Sequence, residues 1–396
     1  MDAPKLRFPE FSGSWKPAKA GEAFRNSRAK GREGLPIYSV TMDRGMVRRD
    51  SIGREIEADA ADGTNLRAQP GDLAYNMMRM WQGAVGRAPE ECMVSPAYVV
   101  LSPKPGVASD FFEHWFKSKR MLYLFRAYSQ GLTSDRLRLY FDDFAQIPLR
   151  IPAPDEQEKI ASLLSFVDER IGQEERKFAR FREYRKGVAE KIFRQEIRFR
   201  NDAGEDFPDW ELRPLGDVAT FSKGKGLSKS DLAPNGRTKC ILYGELYTTY
   251  GQTIRDAVSR TNVAKGGLVL SRKNDVIIPA SGETPLDIAT AACVLEAGIA
   301  LGGDLNIIRS DVNGAFLAYC LSMHKRPEIA AMAQGNSVVH LYAKQLRSLL
   351  IPLPADEEQE KIAAFLSALD ARIAGAMSRI EELRTFKRGL LQQLFV

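Results

Sequence analysis

The sequence predicts an α+β fold: two globular domains separated by two long helices that pack antiparallel as an intramolecular coiled coil, in a pseudo-twofold repeat. Two observations predict it. A long helical segment occurs twice at a constant offset of 202 residues, and the stretch before each copy alternates short β-rich runs with turn signals.

Residues 155–193 read DEQEKIASLLSFVDERIGQEERKFARFREYRKGVAEKIF, and residues 357–395 read EEQEKIAAFLSALDARIAGAMSRIEELRTFKRGLLQQLF. Fourteen of the 39 positions are identical, and 11 of those identities fall between Asp155 and Ile171. A period this long is not a solenoid unit. It implies two domains, each followed by its own helix.

Apolar residues in the first copy recur at Ile160, Leu164, Val167, Ile171, Phe178, Phe181, Val188 and Ile192, the spacing of a heptad seam. The second copy matches it at Ile362, Leu366, Leu369, Ile373, Ile380, Leu383, Leu390 and Leu394. Ala376 takes the slot of Glu174, and Arg185 and Lys387 share a further equivalent slot, so each seam carries one basic interruption. A polar residue in such a seam sets register at some cost in stability. Pro154 and Pro354 open the helices, followed by Asp155, Glu156 and Glu158 in one and Asp356, Glu357 and Glu358 in the other. Proline suits a first turn, and acids there complement the positive end of the helix dipole. At about 1.5 Å per residue, each rod is roughly 60 Å long. The expected segments are a globule at 1–153, a spacer helix at 154–203, a second globule at 204–353 and a second spacer helix at 354–396.

The duplication reaches into the globules. Phe8-Pro9-Glu10-Phe11 is echoed by Phe207-Pro208-Asp209-Trp210, Gly71-Asp72-Leu73 by Asn274-Asp275-Val276, and Leu139-Tyr140 by Leu341-Tyr342. Strands are expected near Pro36–Met42, Tyr98–Leu101 and Ile147–Ile151, and again near Cys240–Tyr243, Val276–Ile278 and Leu305–Arg309. Helical stretches are expected near Asp110–Tyr128 and Gly314–Met332.

The 396 residues suffice for two or three domains, each with a buried core. No apolar run approaches the roughly 20 residues of a membrane span, and MDAPKLRFPE lacks a signal-peptide core, so a soluble cytoplasmic protein is expected. Cys92, Cys240, Cys293 and Cys320 have no CxxC spacing, which points to reduced, mostly buried thiols. Only His114, His324 and His340 are present, leaving little for metal or acid–base chemistry. The net charge of +6 is uneven: 23 basic against 18 acidic residues give +5 for residues 1–150, whereas residues 201–354 are neutral. The bias suggests a polyanionic partner.

At the level of motifs the chain resembles the specificity (S) subunits of type I restriction-modification enzymes. The resemblance covers nearly the whole chain. Its most specific part is the Ile/Leu-Pro lead-in, EQEKIA and long helix, present at Ile151–Ala161 and Leu353–Ala363. GLPIYSVTMDRGMVRRD (34–50), PGDLAYNMMRMWQGAVG (70–86) and SPAYVVL (95–101) look like one target recognition domain of that family. GKGLSKSDL (224–232), CILYGELYTTYG (240–251) and ASGETP (280–285) look like another. The resemblance implies that each globule reads one half of a split, asymmetric site on double-stranded DNA, while the helix pair fixes the unread spacer. It also implies two methyltransferase (modification) subunits and motor-nuclease (restriction) subunits as partners.

Phosphate contacts call for Lys, Arg and small polar groups, and base readout for side chains at loop tips. In the first globule the candidates are Arg44, Arg48, Arg49, Arg79 and, in the 133–138 segment, Ser134, Arg136 and Arg138, with Trp81 beside Arg79 as a stacking aromatic. In the second they are Lys223, Lys225, Lys229, Arg237, Arg272, Lys273, Ser337 and His340. Trp15, Trp115 and Trp210 read as core or rim aromatics.

No catalytic, cofactor-binding or metal-binding residue is assigned. Gly224-Lys225-Gly226 lacks the upstream glycine and the Ser/Thr of a nucleotide-binding loop, and no Asn/Asp-Pro-Pro-aromatic segment is present to transfer methyl groups. Pro154-Asp155 with Glu175-Arg176-Lys177 has the letters of a metal-dependent nuclease. A helix would hold those ends about 30 Å apart, too far for one cation. The alternatives to a non-catalytic DNA reader are a stand-alone nucleic-acid-modifying enzyme and a two-domain protein-binding scaffold.

Overall fold

The computed structural model describes residues 4–52, 64–133, 136–335 and 338–395. Both long helices are present, at Pro154–Phe193 and Asp356–Gln393. The first ends where Gln195 adopts a φ of +60° and the N–H groups of Gln195 and Glu196 close onto the carbonyls of Ile192 and Lys191. The chain forms two compact units, Met1–Glu174 with Arg379–Val396, and Glu175–Ser378. These cut across the four segments expected from sequence: each unit comprises one globule, the first half of the helix that follows it and the last half of the other helix.

In the first unit an antiparallel sheet has the strand order Phe24–Ser27, Tyr98–Pro103, Leu73–Asn76, Val85–Arg87. A second sheet has the order Gly45–Arg48, Ile37–Thr41, Cys92–Val94, Leu66–Ala68, and its Ile37–Thr41 and Cys92–Val94 pair is parallel. The expected helical stretch splits into Ser109–Trp115 and Lys119–Ala127, because Ser118 caps the latter through its hydroxyl. The core is rich in aromatic side chains. Phe24, Phe111, Phe112, Phe116, Phe125 and Phe144 are fully buried, and Phe395, just past the end of the second long helix, stacks on Trp115.

The second unit repeats the plan. Its first sheet has the order Ala219–Lys223, Leu305–Ser310, Asp275–Pro279, Ala292–Val294, Thr253–Ile254, and its second the order Ser259–Thr261, Thr238–Ile241, Ala300–Leu301, Val269–Leu270. The helix here also breaks, into Gly314–Tyr319 and Arg326–Met332 with one π turn between them. The sheets are closed by intimate backbone contact. A Cβ on Gly224 would lie 1.9 Å from the Gly302 carbonyl oxygen, so this glycine serves a close approach of two loops.

The repeated EQEKIA motif is the anchor of helix to globule. In the first unit Glu156 is buried and accepts from both Nε and Nη2 of Arg7 at 2.7 and 2.8 Å, and from the Trp15 indole at 3.2 Å. Gln157 accepts the N–H of Ala108, the cap of the 109–115 helix, and donates to the Pro152 carbonyl, both at 2.9 Å. In the second unit Glu358 accepts from Arg198 at 3.2 and 2.8 Å and from the Trp210 indole at 2.9 Å. Gln359 accepts the N–H of Asn313 and donates to Pro354, again at 2.9 Å. Lys159 lies over the Phe8 ring and Lys361 over the Phe207 ring. Ile160, Ala161 and Leu164, and Ile362, Ala363 and Leu366, are buried in their units' cores.

A second node joins the helix segments within each unit. Lys387 reaches both oxygens of Asp168 at 2.6 Å, and Arg185 pairs with Asp370. The basic interruptions of the seam are therefore neutralised by the opposite segment. In the first unit the Leu6 N–H meets the Gln393 carbonyl while neighbouring Arg7 holds Glu156, so the segments run in opposite directions. In the second, Phe193 contacts Trp210, whose indole holds Glu358, which gives the same antiparallel sense. The globule contributes a third member to each node. Tyr319 donates to Asp370 at 2.6 Å and lies 3.3 Å from Ser367, and His114 Nε2 is 3.3 Å from Ser165 in the corresponding place. Burial, and then Lys387, push the His114 imidazole down to about 4, so it is neutral near pH 7 and its 3.7 Å approach to Asp168 is not an ion pair.

All four cysteines are free and buried. Burial pushes the thiols of Cys92, Cys293 and Cys320 up to about 12 and that of Cys240 up to about 11. Among the described residues no helix is long and apolar enough to cross a membrane.

Two predictions follow from the anchor and the node. Glu358→Gln leaves Arg198 without its buried counter-charge and should cost about 2 kcal/mol, less than a fully buried pair because Arg198 keeps Asp209 and some solvent; urea denaturation checks this, and an unchanged midpoint would show that the anchor is not stabilising. Because the His114 pKa is depressed on folding, its contribution is complete above about pH 6.5 and is lost as pH falls towards 4. His114→Tyr, which copies Tyr319, should flatten the dependence of the melting temperature on pH in that window.

Candidate nucleic-acid interface

Each unit has an anchor end and a distal end. In the second unit, strand 219–223 pairs with 305–310 so that Ala219 faces Ser310 and Lys223 faces Asn306, while Val276 faces Ile308 in the next pair. Asn274 binds the Val312 carbonyl and the Gly314 N–H, beside the Asn313 held by Gln359. That edge is the anchor end. Lys223, Pro279 and the Gly302–Asp304 turn lie at the other.

The distal end of the second unit gathers Lys223, Lys225, Lys229 and His340. The Lys225 N–H meets the Leu301 carbonyl, the Ala280 N–H meets the Asp304 carbonyl, and Leu341 returns to the Ala280 carbonyl, which brings His340 opposite Ser281. All three lysines and His340 are exposed. Arg272 and Lys273, by contrast, lie at the anchor end in a cavity shared with Asp217, Asn274 and Asp311. Arg237 is exposed just before strand 238–241, where its N–H is held by the Asn262 side chain and Thr238 pairs with Thr261. Ser337 lies outside the described residues.

The first unit has the same distal construction. The Met77 N–H meets the Ala97 carbonyl and Leu139 returns to the Met77 carbonyl, matching Ala280, Asp304 and Leu341. This brings together Arg79, Trp81, Arg136 and Arg138, all of whose arginines are exposed. Gln130 and Arg138 exchange both backbone hydrogen bonds, as Gln334 and His340 do in the second unit, so the two loops are equivalent. Ser134 lies outside the described residues. Trp81 is half-buried: its indole donates to the Met78 carbonyl at 3.0 Å and Arg126 covers its ring at 5.7 Å. Arg126 therefore covers one face of this half-buried ring.

The other arginines of the first globule lie on or next to its second sheet. Arg44 is exposed at the tip of the hairpin between Ile37–Thr41 and Gly45–Arg48. Arg48 stands at the opposite end of that hairpin, across from Tyr38, with Asp50 at 3.2 Å and Glu90 at 3.9 Å. Arg49 follows it, half-buried in a 3-10 turn.

Two residues escaped the sequence reading. Counting from the short helices Ala20–Ala23 and Leu215–Val218 that precede the equivalent strands, Arg28 holds the place of Lys223 and Lys30 that of Lys225. Both are exposed at the distal end. The signal was an offset of 195, which also relates Trp15 to Trp210, in place of the 202 that relates the helices.

Asp155 and Glu175 fall on one continuous helix, and among the described residues no group of three or more His, Cys, Asp or Glu side chains is placed to hold a metal ion.

A family model described as the type I restriction modification DNA specificity domain matches residues 19–179 and 208–385, one block in each repeat. The chain belongs to this family. Its relatives include the type I restriction enzyme MjaIX specificity subunit of Methanocaldococcus jannaschii, 22% identical over 360 residues, which cover 86% of this chain and 81% of that protein. The putative MjaX specificity subunit of the same organism is 28% identical over 254 residues, 62% of this chain and 58% of that one. Among solved structures, the S subunit of a type I restriction-modification system from M. genitalium superposes with a TM-score of 0.63 at 15% identity, covering 100% of this chain and 99% of that chain. A chain from a structural study of assembly and conformational transition in a type I system gives 0.56 at 16% identity, with 98% of both chains covered. These likenesses establish the specificity-subunit fold.

Proposed function

We propose that this chain supplies DNA sequence recognition to a type I restriction-modification complex, as a non-catalytic subunit whose two globules read the two halves of a split, asymmetric site. The observation that carries this reading is that one anchor is built twice while the side chains at the two distal ends differ. Arg28, Lys30, Arg79, Arg136 and Arg138 stand at one, and Lys223, Lys225, Lys229 and His340 at the other. Identical supports with unlike tips suit recognition of unlike sequences. Cations and small polar groups at loop tips match the chemistry of phosphate contact and base-edge readout.

The long helices act as the spacer ruler, which requires a stiff connection, since half-sites must be met about one helical turn or a multiple of it apart. Two methyltransferase subunits and motor-nuclease subunits are the partners. Support for partner surfaces lies on the outer helix faces, where Phe166 and Phe386 in the first unit, and Tyr184 and Met377 in the second, are more than half exposed. The neutral charge of residues 201–354 means that the partners supply part of the grip on the backbone. The complex acts on chromosomal DNA in the cytoplasm.

Mapping methylated bases in the host genome with and without this gene tests the reading: a split, two-part motif should vanish with the gene, and methylation indifferent to one half would overturn it. Arg28→Ala and Lys223→Ala should each weaken binding of all duplexes and lower the salt dependence by about 0.9 per lost phosphate contact, whereas Arg272→Ala, at the anchor end, should leave it unchanged. Inserting one heptad between Ile171 and Val188 should change the preferred spacer; an unaltered spacer would count against the ruler.

A further inference from the structure

The distal end of the second unit contains a cavity that the basic residues alone do not explain. It has a volume of about 580 Å³ and lies between the loop Leu227–Leu232, the turn and short helix at 242–248, the Gly302–Asp304 turn and Glu283. Its walls are of three kinds. Leu227, Leu232 and Leu242 form an apolar floor, Tyr243 and Tyr247 stand with ring centroids 6.5 Å apart, and Lys229, Glu283, Asp304 and Glu245 supply charge.

The three carboxylates are not equivalent. Glu245 is committed to the fold, because it accepts the Leu242 N–H at 2.7 Å and the Ser259 hydroxyl. Asp304 accepts only the Ser281 hydroxyl, at 3.3 Å through one oxygen, among the described residues. Glu283 is exposed and has no hydrogen-bond or ion-pair partner among the described residues. It faces Tyr247, whose phenol is raised by burial and by Tyr243 and Glu283, so that phenol stays protonated as a donor. Two carboxylates with unused acceptor sites thus stand beside Lys229, at the end of the sheet that also carries Lys223 and Lys225, on a domain of zero net charge. Near a DNA backbone an unused carboxylate is unfavourable unless it meets a donor. The donors that DNA offers in the major groove are the exocyclic amino groups of cytosine and adenine, N4 and N6.

We infer that this cavity is the base-reading site of the second globule, in which Glu283 and Asp304 accept a hydrogen bond from the exocyclic amino group of a cytosine or adenine while Lys223, Lys225 and Lys229 hold the flanking phosphates. The inference rests on the proposed role of the chain as a DNA reader and deepens it by naming the base chemistry. The lysines fix position and carry no sequence information, whereas the carboxylates reject guanine N7/O6 and thymine O4, which present acceptors only. The tyrosine rings and leucines exclude water from the contact, which raises the penalty for an unmatched base.

The test is selection from a randomised duplex pool by the full-length chain assembled with its methyltransferase subunits, followed by sequencing of the bound fraction. For the wild type, one position of the second half-site should be restricted to cytosine or adenine by about tenfold to a hundredfold over guanine and thymine. Glu283→Gln and Asp304→Asn should each relax that position while leaving the first half-site as selective as before. Lys229→Ala should lower recovery of all sequences alike. Profiles of both carboxylate variants identical to the wild type, or a uniform loss across all sequences, would overturn the inference while leaving the reader role intact. A wild-type complex that enriches no split sequence would instead remove the reading on which the inference depends. Glu283 is exposed, so its variant keeps the fold, and thermal melting of each variant verifies that.

Discussion

A single buried carboxylate at the start of each long helix holds the architecture of its unit together. Glu156 and Glu358 each draw one guanidinium and one indole onto two oxygens in a place with almost no access to water. There an unpaired charge would cost several kcal/mol, so the arginine, the tryptophan and the helix start are fixed as a set. The adjacent glutamine then ties the incoming strand to the cap of the first globule helix. Because these two side chains occupy one helical turn, a short motif sets where the helix leaves the globule.

Away from that turn the requirements relax. The nodes at Asp168 and Asp370 keep the carboxylate and serine but accept lysine or arginine from the opposite helix segment, and histidine or tyrosine from the globule. The geometry asks only for a cation and a planar polar group of the right reach. Beyond the nodes the segments need apolar residues at seam positions, which many side chains satisfy. This gradient accounts for the concentration of identities in the first 17 residues of the repeat.

The same gradient explains what could be read from sequence. The repeat, the two helices, their seams and six of the strands were legible because they depend on local periodicity and on a motif with specific partners. The membership of the distal surface was not, because it depends on strand order. Lys225 and Lys273 look alike on paper, yet sheet pairing puts one at the distal end and the other beside Asp217 and Asn274 at the anchor end. Arg28 and Lys30 were missed because the chain before the first sheet is out of step with the helix repeat. The carboxylates of the distal cavity were passed over because a search for a polyanion partner favours cations, although discrimination between bases also needs acceptors.

The buried state of the cysteines has a practical consequence. With every native thiol enclosed and held in its protonated form, none should compete for a maleimide at neutral pH. Single cysteines introduced at Arg79 and Lys229 would then take a donor and an acceptor dye without prior removal of native residues, so energy transfer could report the separation of the two tips in solution, with and without duplex.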